Sequence, residues 1–179
     1  MTKIVGYFII SSMKLSTKGR YAVTAMLDLV IHMDDGPVSL SDIAERQHVS
    51  LSYLEQLFAK LRRRGLVAST RGPGGGYSLN DKPENVAVVD IILAVDENID
   101  NTNCSGAANC QHDEQCLTHD LWEDLSNQIK EFLAGISLAE LASRGSIKRI
   151  AARQDGVGQD IFPVTEMPDV ISKHVGVNK

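Results

Sequence analysis

Residues 71–76 read Arg-Gly-Pro-Gly-Gly-Gly, and neither a helix nor a strand runs through such a stretch. Glycine raises the entropic cost of regular structure, and proline removes a backbone donor, so the chain must turn here. Short runs flank the turn, LVAST before it and YSLND after it, and their side chains alternate in character. The pattern predicts a small β-hairpin around a glycine-rich loop. A phosphate cradle is a poorer reading, because the loop lacks the Lys-Ser/Thr of a P-loop and leads into a strand.

The hairpin follows three helical patterns. Residues 17–33 place Ala22, Ala25, Met26, Leu29, Val30 and Met33 at helical spacing, and the helix stops at Asp34-Asp35-Gly36-Pro37. Ser39 is an N-cap for a short second helix reaching Gln47, with Asp42 in its first turn. After a brief turn, Ser50 caps a third helix, LSYLEQLFAKLRRR, which Gly65 terminates. Two helices joined by so short a turn form a helix-turn-helix, and the hairpin beside them is its wing.

On the third helix Leu51, Leu54, Leu57, Phe58 and Leu61 share the core face. The opposite face of the first two turns shows Ser52, Tyr53, Glu55 and Gln56, where a helix-turn-helix reads base edges. Gln56 suits adenine, Ser52 serves either kind of base, and Glu55 accepts from a cytosine amine while repelling phosphate. Lys60, Arg62, Arg63 and Arg64 lie further along, suited to phosphates, as are Lys14, Lys18 and Arg20. Arg71 stands at the wing tip, where an arginine enters a narrow minor groove. Alone, the arginine run is a solvated helix end beside a C-terminal dipole. Between a helix-turn-helix and a wing it points to DNA.

The charge distribution agrees. The chain has a net charge of −5, yet residues 50–72 carry five basic side chains against Glu55. Residues 81–126 instead hold eleven acidic side chains against Lys82. No apolar run is long enough to span a bilayer. The short run Ile4–Ile10 lacks a signal cleavage site, so residues 1–12 are expected to be a disordered extension, with the start at Met1 or Met13. A reducing cytoplasm is the expected location.

All three cysteines fall within CSGAANCQHDEQCLTH, as Cys104, Cys110 and Cys116, with His119 closing the spacing C-x5-C-x5-C-x2-H. Structural zinc sites bring thiols in tighter C-x2-4-C pairs. Ligands spread over an open loop suit an iron–sulfur cluster better, with three thiolates and an imidazole completing four ligands. His112 and Asp113 are rival fourth ligands, and zinc or a thiol–disulfide switch are rival chemistries. A Cys116–His119 nucleophile–base pair would need a substrate pocket and a third orienting group, which nothing in the sequence suggests, so no enzyme is expected.

Together LSTKGRYAVTAMLDL, SLSYLEQLFAKLRRRGLV, RGPGGGYSL and the cysteine–histidine spacing resemble the IscR family of iron–sulfur cluster regulators, over residues 13–143. The resemblance implies a homodimeric winged-helix transcription factor with a 2Fe–2S cluster held by Cys104, Cys110, Cys116 and His119. It further implies repression of cluster-assembly genes when loaded, control of other promoters with or without cluster, and the assembly machinery as cluster donor. Ser52, Glu55, Gln56 and Arg71 match the base-contacting positions of that family. A related nitric-oxide-sensing family, NsrR, replaces the histidine by a carboxylate near the first helix, and Asp28 is the residue available for that role.

The expected fold is mainly α with a small β-wing. Residues 13–97 form the winged-helix DNA-binding domain and 98–117 the cluster loop, with a fourth helix near 86–96. Residues 118–143 form one long amphipathic dimerisation helix, and 144–179 a flexible tail.

Overall fold

The computed structural model describes residues 16–102, 104–111 and 113–156. The expected extension at 1–12, Lys14, His112 and the last part of the expected tail lie outside them. The elements run α1 (Thr17–His32), α2 (Leu40–Gln47), α3 (Leu51–Arg63), β1 (Val67–Thr70), β2 (Gly76–Leu79), α4 (Val88–Ala94), α5 (His119–Ala134), α6 (Leu138–Ser143) and α7 (Gly145–Gln154). Short 3₁₀ turns follow α1 and β2.

Local signals set most helix ends. The Ser16 hydroxyl accepts from Lys18 N–H at the start of α1, and Ser39 accepts from Asp42 N–H at the start of α2. His48 ends α2 in a left-handed conformation and donates its N–H to the Ala44 and Glu45 carbonyls. Ser50 precedes α3, but its hydroxyl makes no capping bond; its carbonyl accepts from Tyr53 and Leu54 instead. Gly65, at φ 75°, ends the helical run with its N–H on the Arg62 carbonyl.

The wing is a two-stranded antiparallel sheet pairing Val67 with Leu79 and Thr70 with Gly76. Val38 bridges the other edge of β2, exchanging both backbone bonds with Tyr77 at 2.9 and 2.8 Å. Its carbonyl would lie 2.5 Å from a Cβ at Gly76, so any side chain there would push the wing off the helices.

Phe58, Met26, Leu29, Ile43, Leu54, Leu57 and Leu61 form the core with Val67, Ile91 and Val95. Leu51, expected in that core, is 41% exposed: it is the first residue of α3, and the buried face of the helix begins a turn later at Leu54.

The long helix expected over 118–143 is two helices. Between them Ser137 is extended, and its neighbours pair with the chain before α4: Val88 N–H donates to Ile136 O and Leu138 N–H to Val86 O. The break turns α6 back onto α1 and sends Leu138, fully buried, into the winged-helix core. The expected tail likewise begins with a helix, α7. Gln154 reaches Arg46 and Gln47, and Asp155 reaches His32 at 3.0 Å.

Candidate metal centre and nucleic-acid interface

The cysteine loop leaves α4 and is wound by polar side chains rather than by a core. Ser126 of α5 donates to the Trp122 carbonyl and accepts from Asn101 N–H at 2.8 Å, pinning the start of the loop to the helix. Asp100 accepts from Thr102 N–H, and the Thr102 hydroxyl accepts from Gly106 N–H at 2.8 Å. Ser105, Ala108 and Asp113 all have positive φ although none is glycine. Such backbone costs free energy and persists where surrounding contacts demand it. Here it curls the loop around its own sulfurs.

His119, the first residue of α5, is buried. Its Nδ1 lies 3.4 Å from Cys104 Sγ and 3.5 Å from Cys110 Sγ. The ligand atoms of Cys104, Cys110 and His119 lie within 4.8 Å of one another, as shared coordination requires. Cys116 stands next to this group but outside it. Its N–H donates to Cys110 Sγ at 3.3 Å, and its own sulfur lies 3.8 Å from the Thr118 hydroxyl. Cys116 and His119 share one turn, through His119 N–H on the Cys116 carbonyl, yet the imidazole faces the other two thiols.

The electrostatics favour the thiolate, the ligand form, at Cys104 and Cys116 but not at Cys110. Desolvation raises the Cys104 pKa, but hydrogen bonds from Thr102, Cys110 and the Ala108 and Asn109 N–H groups outweigh it and bring the thiol down to about 6. Cys116 is lowered by its bond with Cys110 and by Thr118 N–H. Cys110 is raised overall: the Cys116 N–H stabilises its thiolate, but its sulfur neighbours and desolvation outweigh that bond. Half-buried thiols around a buried imidazole suit a soft, thiophilic metal group. The donor set therefore fits an iron–sulfur cluster.

Among the described residues, the rival ligands Asp113 and Asp28 are not part of this group. Asp113 is exposed. Asp28 is buried, and its carboxylate is taken up by Arg46, with bonds of 2.6 to 3.3 Å, and by Gln47 at 2.6 Å. The Arg46 pKa is raised, chiefly by that hydrogen bond. Asp28 is a structural anion in this arrangement.

On α3, Ser52, Glu55 and Gln56 are exposed on one face, and Arg71 is exposed at the wing tip. Tyr53 is half-buried, edge-on to Tyr21 of α1 with ring centroids 6.0 Å apart, so it props α3 against another helix. Arg62 donates to the Ser69 hydroxyl of the wing at 3.2 Å, and Arg63 to the Ala59 carbonyl. Lys60 is engaged on the other flank: its Nζ lies 2.9 Å from an Asp96 carboxylate oxygen and 3.4 Å from the Val95 carbonyl. Thr102, Ser126 and Asp96 carry no signal in the sequence, since an isolated threonine, serine or aspartate reads as solvated.

α5 shows solvent an apolar stripe: Leu121, Trp122 and Phe132 are exposed, the last to 69%. Among the described residues no helix is long and apolar enough to cross a membrane.

A family model described as Rrf2, iron-dependent transcriptional regulator, matches residues 15–144. The HTH-type transcriptional regulator IscR of Aliivibrio salmonicida is 59% identical over 143 residues, covering 80% of this chain and 85% of the relative. The solved structure of T. potens IscR superposes with a TM-score of 0.59 at 43% identity, over 72% of this chain and 85% of that one. CymR, the global cysteine regulator of B. subtilis, superposes at 0.63 with 38% identity, over 73% of this chain and 96% of that one. A global cysteine regulator superposes on this chain about as well as an IscR does, so the fold does not choose the ligand.

Proposed function

Because the chain belongs to the Rrf2 family of transcriptional regulators, we propose that it is a homodimeric DNA-binding regulator that senses iron–sulfur cluster status through a 2Fe–2S cluster. The cluster is held by Cys104, Cys110, Cys116 and His119. The observation that carries the reading is the buried imidazole of His119 facing two loop thiols at 3.4 and 3.5 Å. A bound cluster supplies one-electron redox chemistry and a bond set that is labile to oxidants.

The chain's own residues carry the rest. Cys104 and Cys110 meet His119 at the head of α5, and Cys116, in the adjoining turn, would supply the remaining ligand. Ordering the loop acts on its two anchors, Ser126 on α5 and the Asp96–Glu97 root beside α3 and α1. α5 pairs with its copy through Leu121, Trp122 and Phe132, so its position sets the spacing of the two reading helices. Ser52 and Gln56 contact bases, Tyr53 positions α3, and Lys60, Arg62, Arg63 and Arg71 meet the backbone or minor groove. Glu55 rejects operators lacking a suitable donor, and a loaded loop lowers the cost of those sites. The loaded protein represses cluster-assembly genes, further promoters respond with or without cluster, and the assembly machinery is the donor. The site of action is the cytoplasm, and the chain acts as a regulator rather than an enzyme, a reading that its membership of a transcriptional-regulator family supports.

Protein purified without oxygen tests this through its visible spectrum and its iron, sulfide and zinc content, beside His119→Ala. About two irons and two sulfides per chain, with a shifted spectrum in the variant, is the expected result. Zinc without sulfide would overturn the sensing function and leave DNA binding standing.

A further inference from the structure

Lys60, Arg63 and Arg64 line a cleft between the last turns of α3 and the end of α4, with Ala94 and Asp96 on its other wall. Among the described residues, neither Arg63 nor Arg64 has an acidic partner within ion-pair distance, and both are exposed. Asp96 is the single anion lining the cleft. Two lysines from different helices also converge on this end of α4: Lys60 Nζ on the Val95 carbonyl at 3.4 Å, and Lys18 Nζ on the Asp96 carbonyl at 2.6 Å.

We infer that this cleft seats a backbone phosphate of duplex DNA, and that the Asp96 carboxylate holds the phosphate's place in the free protein. The inference rests on the reading of α3 as the DNA-facing helix. Three positive groups at the end of such a helix make an anion seat, and phosphate contacts of this kind fix register without reading sequence. Lys60 lies on the flank of α3, so its charge is available to DNA only when Asp96 gives it up. The Asp96 side chain is 61% exposed, and exposed ion pairs are weakly held, so a phosphate displaces it readily.

The position of Asp96 gives the exchange a consequence. Asp96 has φ 58°, two residues before the cysteine loop begins. The next residue, Glu97, accepts from both the backbone N–H and the hydroxyl of Ser16 at the start of α1. Releasing Asp96 therefore acts at the root of the loop, and loop ordering acts back on the availability of Lys60.

Asp96→Asn is the informative variant, because asparagine tolerates the left-handed backbone and leaves the fold intact. With full-length protein and a short nonspecific duplex, anisotropy titrations over a range of salt should show binding tightened on the order of tenfold at low salt, and a salt slope steeper by about one. Lys60→Ala should weaken wild-type binding a few-fold at low salt, because the phosphate loses one of its cations, and the gain from Asp96→Asn should disappear once Lys60 is alanine. Unchanged affinity in Asp96→Asn, or a gain that survives Lys60→Ala, would overturn the proposal. A wild-type chain with no salt-dependent binding would instead remove the DNA reading of α3 itself. By reciprocity, saturating duplex should alter the alkylation rate of the loop thiols in metal-free wild type and not in Asp96→Asn. Equal changes in both would break the link to the loop.

Discussion

Phe58 and Cys104 stand for two kinds of construction in one chain. Around Phe58 the residues of α1, α2, α3 and the wing interlock with their side chains fully buried, and Tyr77 packs edge-on at 4.8 Å. Around Cys104 there is no such layer: the thiols are half-buried, and the loop is held by Ser126, Thr102 and a left-handed backbone. Burial stabilises the first region whatever is bound. In the second, net stabilisation is left to single hydrogen bonds worth about 1 kcal/mol each, so the ligand decides its order. A sensor needs that contrast, with a rigid reader and a loop whose structure depends on its cargo.

Leu138 tests where the boundary between the regions falls. It belongs to the stretch whose amphipathic pattern suggested a dimerisation helix, yet it is fully buried in the winged-helix core. Leu138→Ala should cost about 2–5 kcal/mol, seen as a drop in thermal midpoint of the same size at every protein concentration. A loss that vanishes at high concentration would return α6 to a dimer interface.

Asp28 sharpens the contrast from the other side. Its buried carboxylate balances Arg46, so Asp28→Ala should cost about 3 kcal/mol, near the low end because Arg46 keeps some contact with water. Iron content per folded chain should stay the same. Iron lost with the fold intact would make Asp28 a ligand.

Ser126→Ala should cost only about 1 kcal/mol globally, because it strips one acceptor from the Asn101 N–H. Hydrogen exchange should nevertheless accelerate at Asn101 and Thr102 while core amides of α1 and α3 hold. Uniform acceleration would mean that loop and reader unfold as one unit.

The smallest expected effect is chemical and leaves stability alone. The hydrogen bonds on Cys104 bring its pKa to about 6, so its thiolate predominates above that pH and is lost below it. In metal-free protein its alkylation rate should rise with a midpoint near pH 6, ahead of an ordinary thiol near about 8.5. Rate profiles by mass spectrometry check this, and an unshifted midpoint would mean that the loop does not hold this geometry without metal.

The helix-turn-helix, the wing and the approach of Cys104 and Cys110 to His119 were legible in the sequence for one reason. Helical spacing, serine caps, glycine stops and clustered thiols are local, and each acts within a turn or a loop of itself. What tertiary structure alone decided is non-local. Whether 118–143 stays one helix depends on Ile136 and Leu138 pairing with the chain beside Val86 and Val88. Whether residues after Arg144 form a helix depends on α7 finding Arg46 and Gln47. The fate of Lys60 as a free phosphate ligand turns on an aspartate 36 positions away, and that of Asp28 as a metal ligand on Arg46. A charged side chain takes whichever partner the fold brings within about 3 Å, and that distance is set by packing, which no window of sequence records.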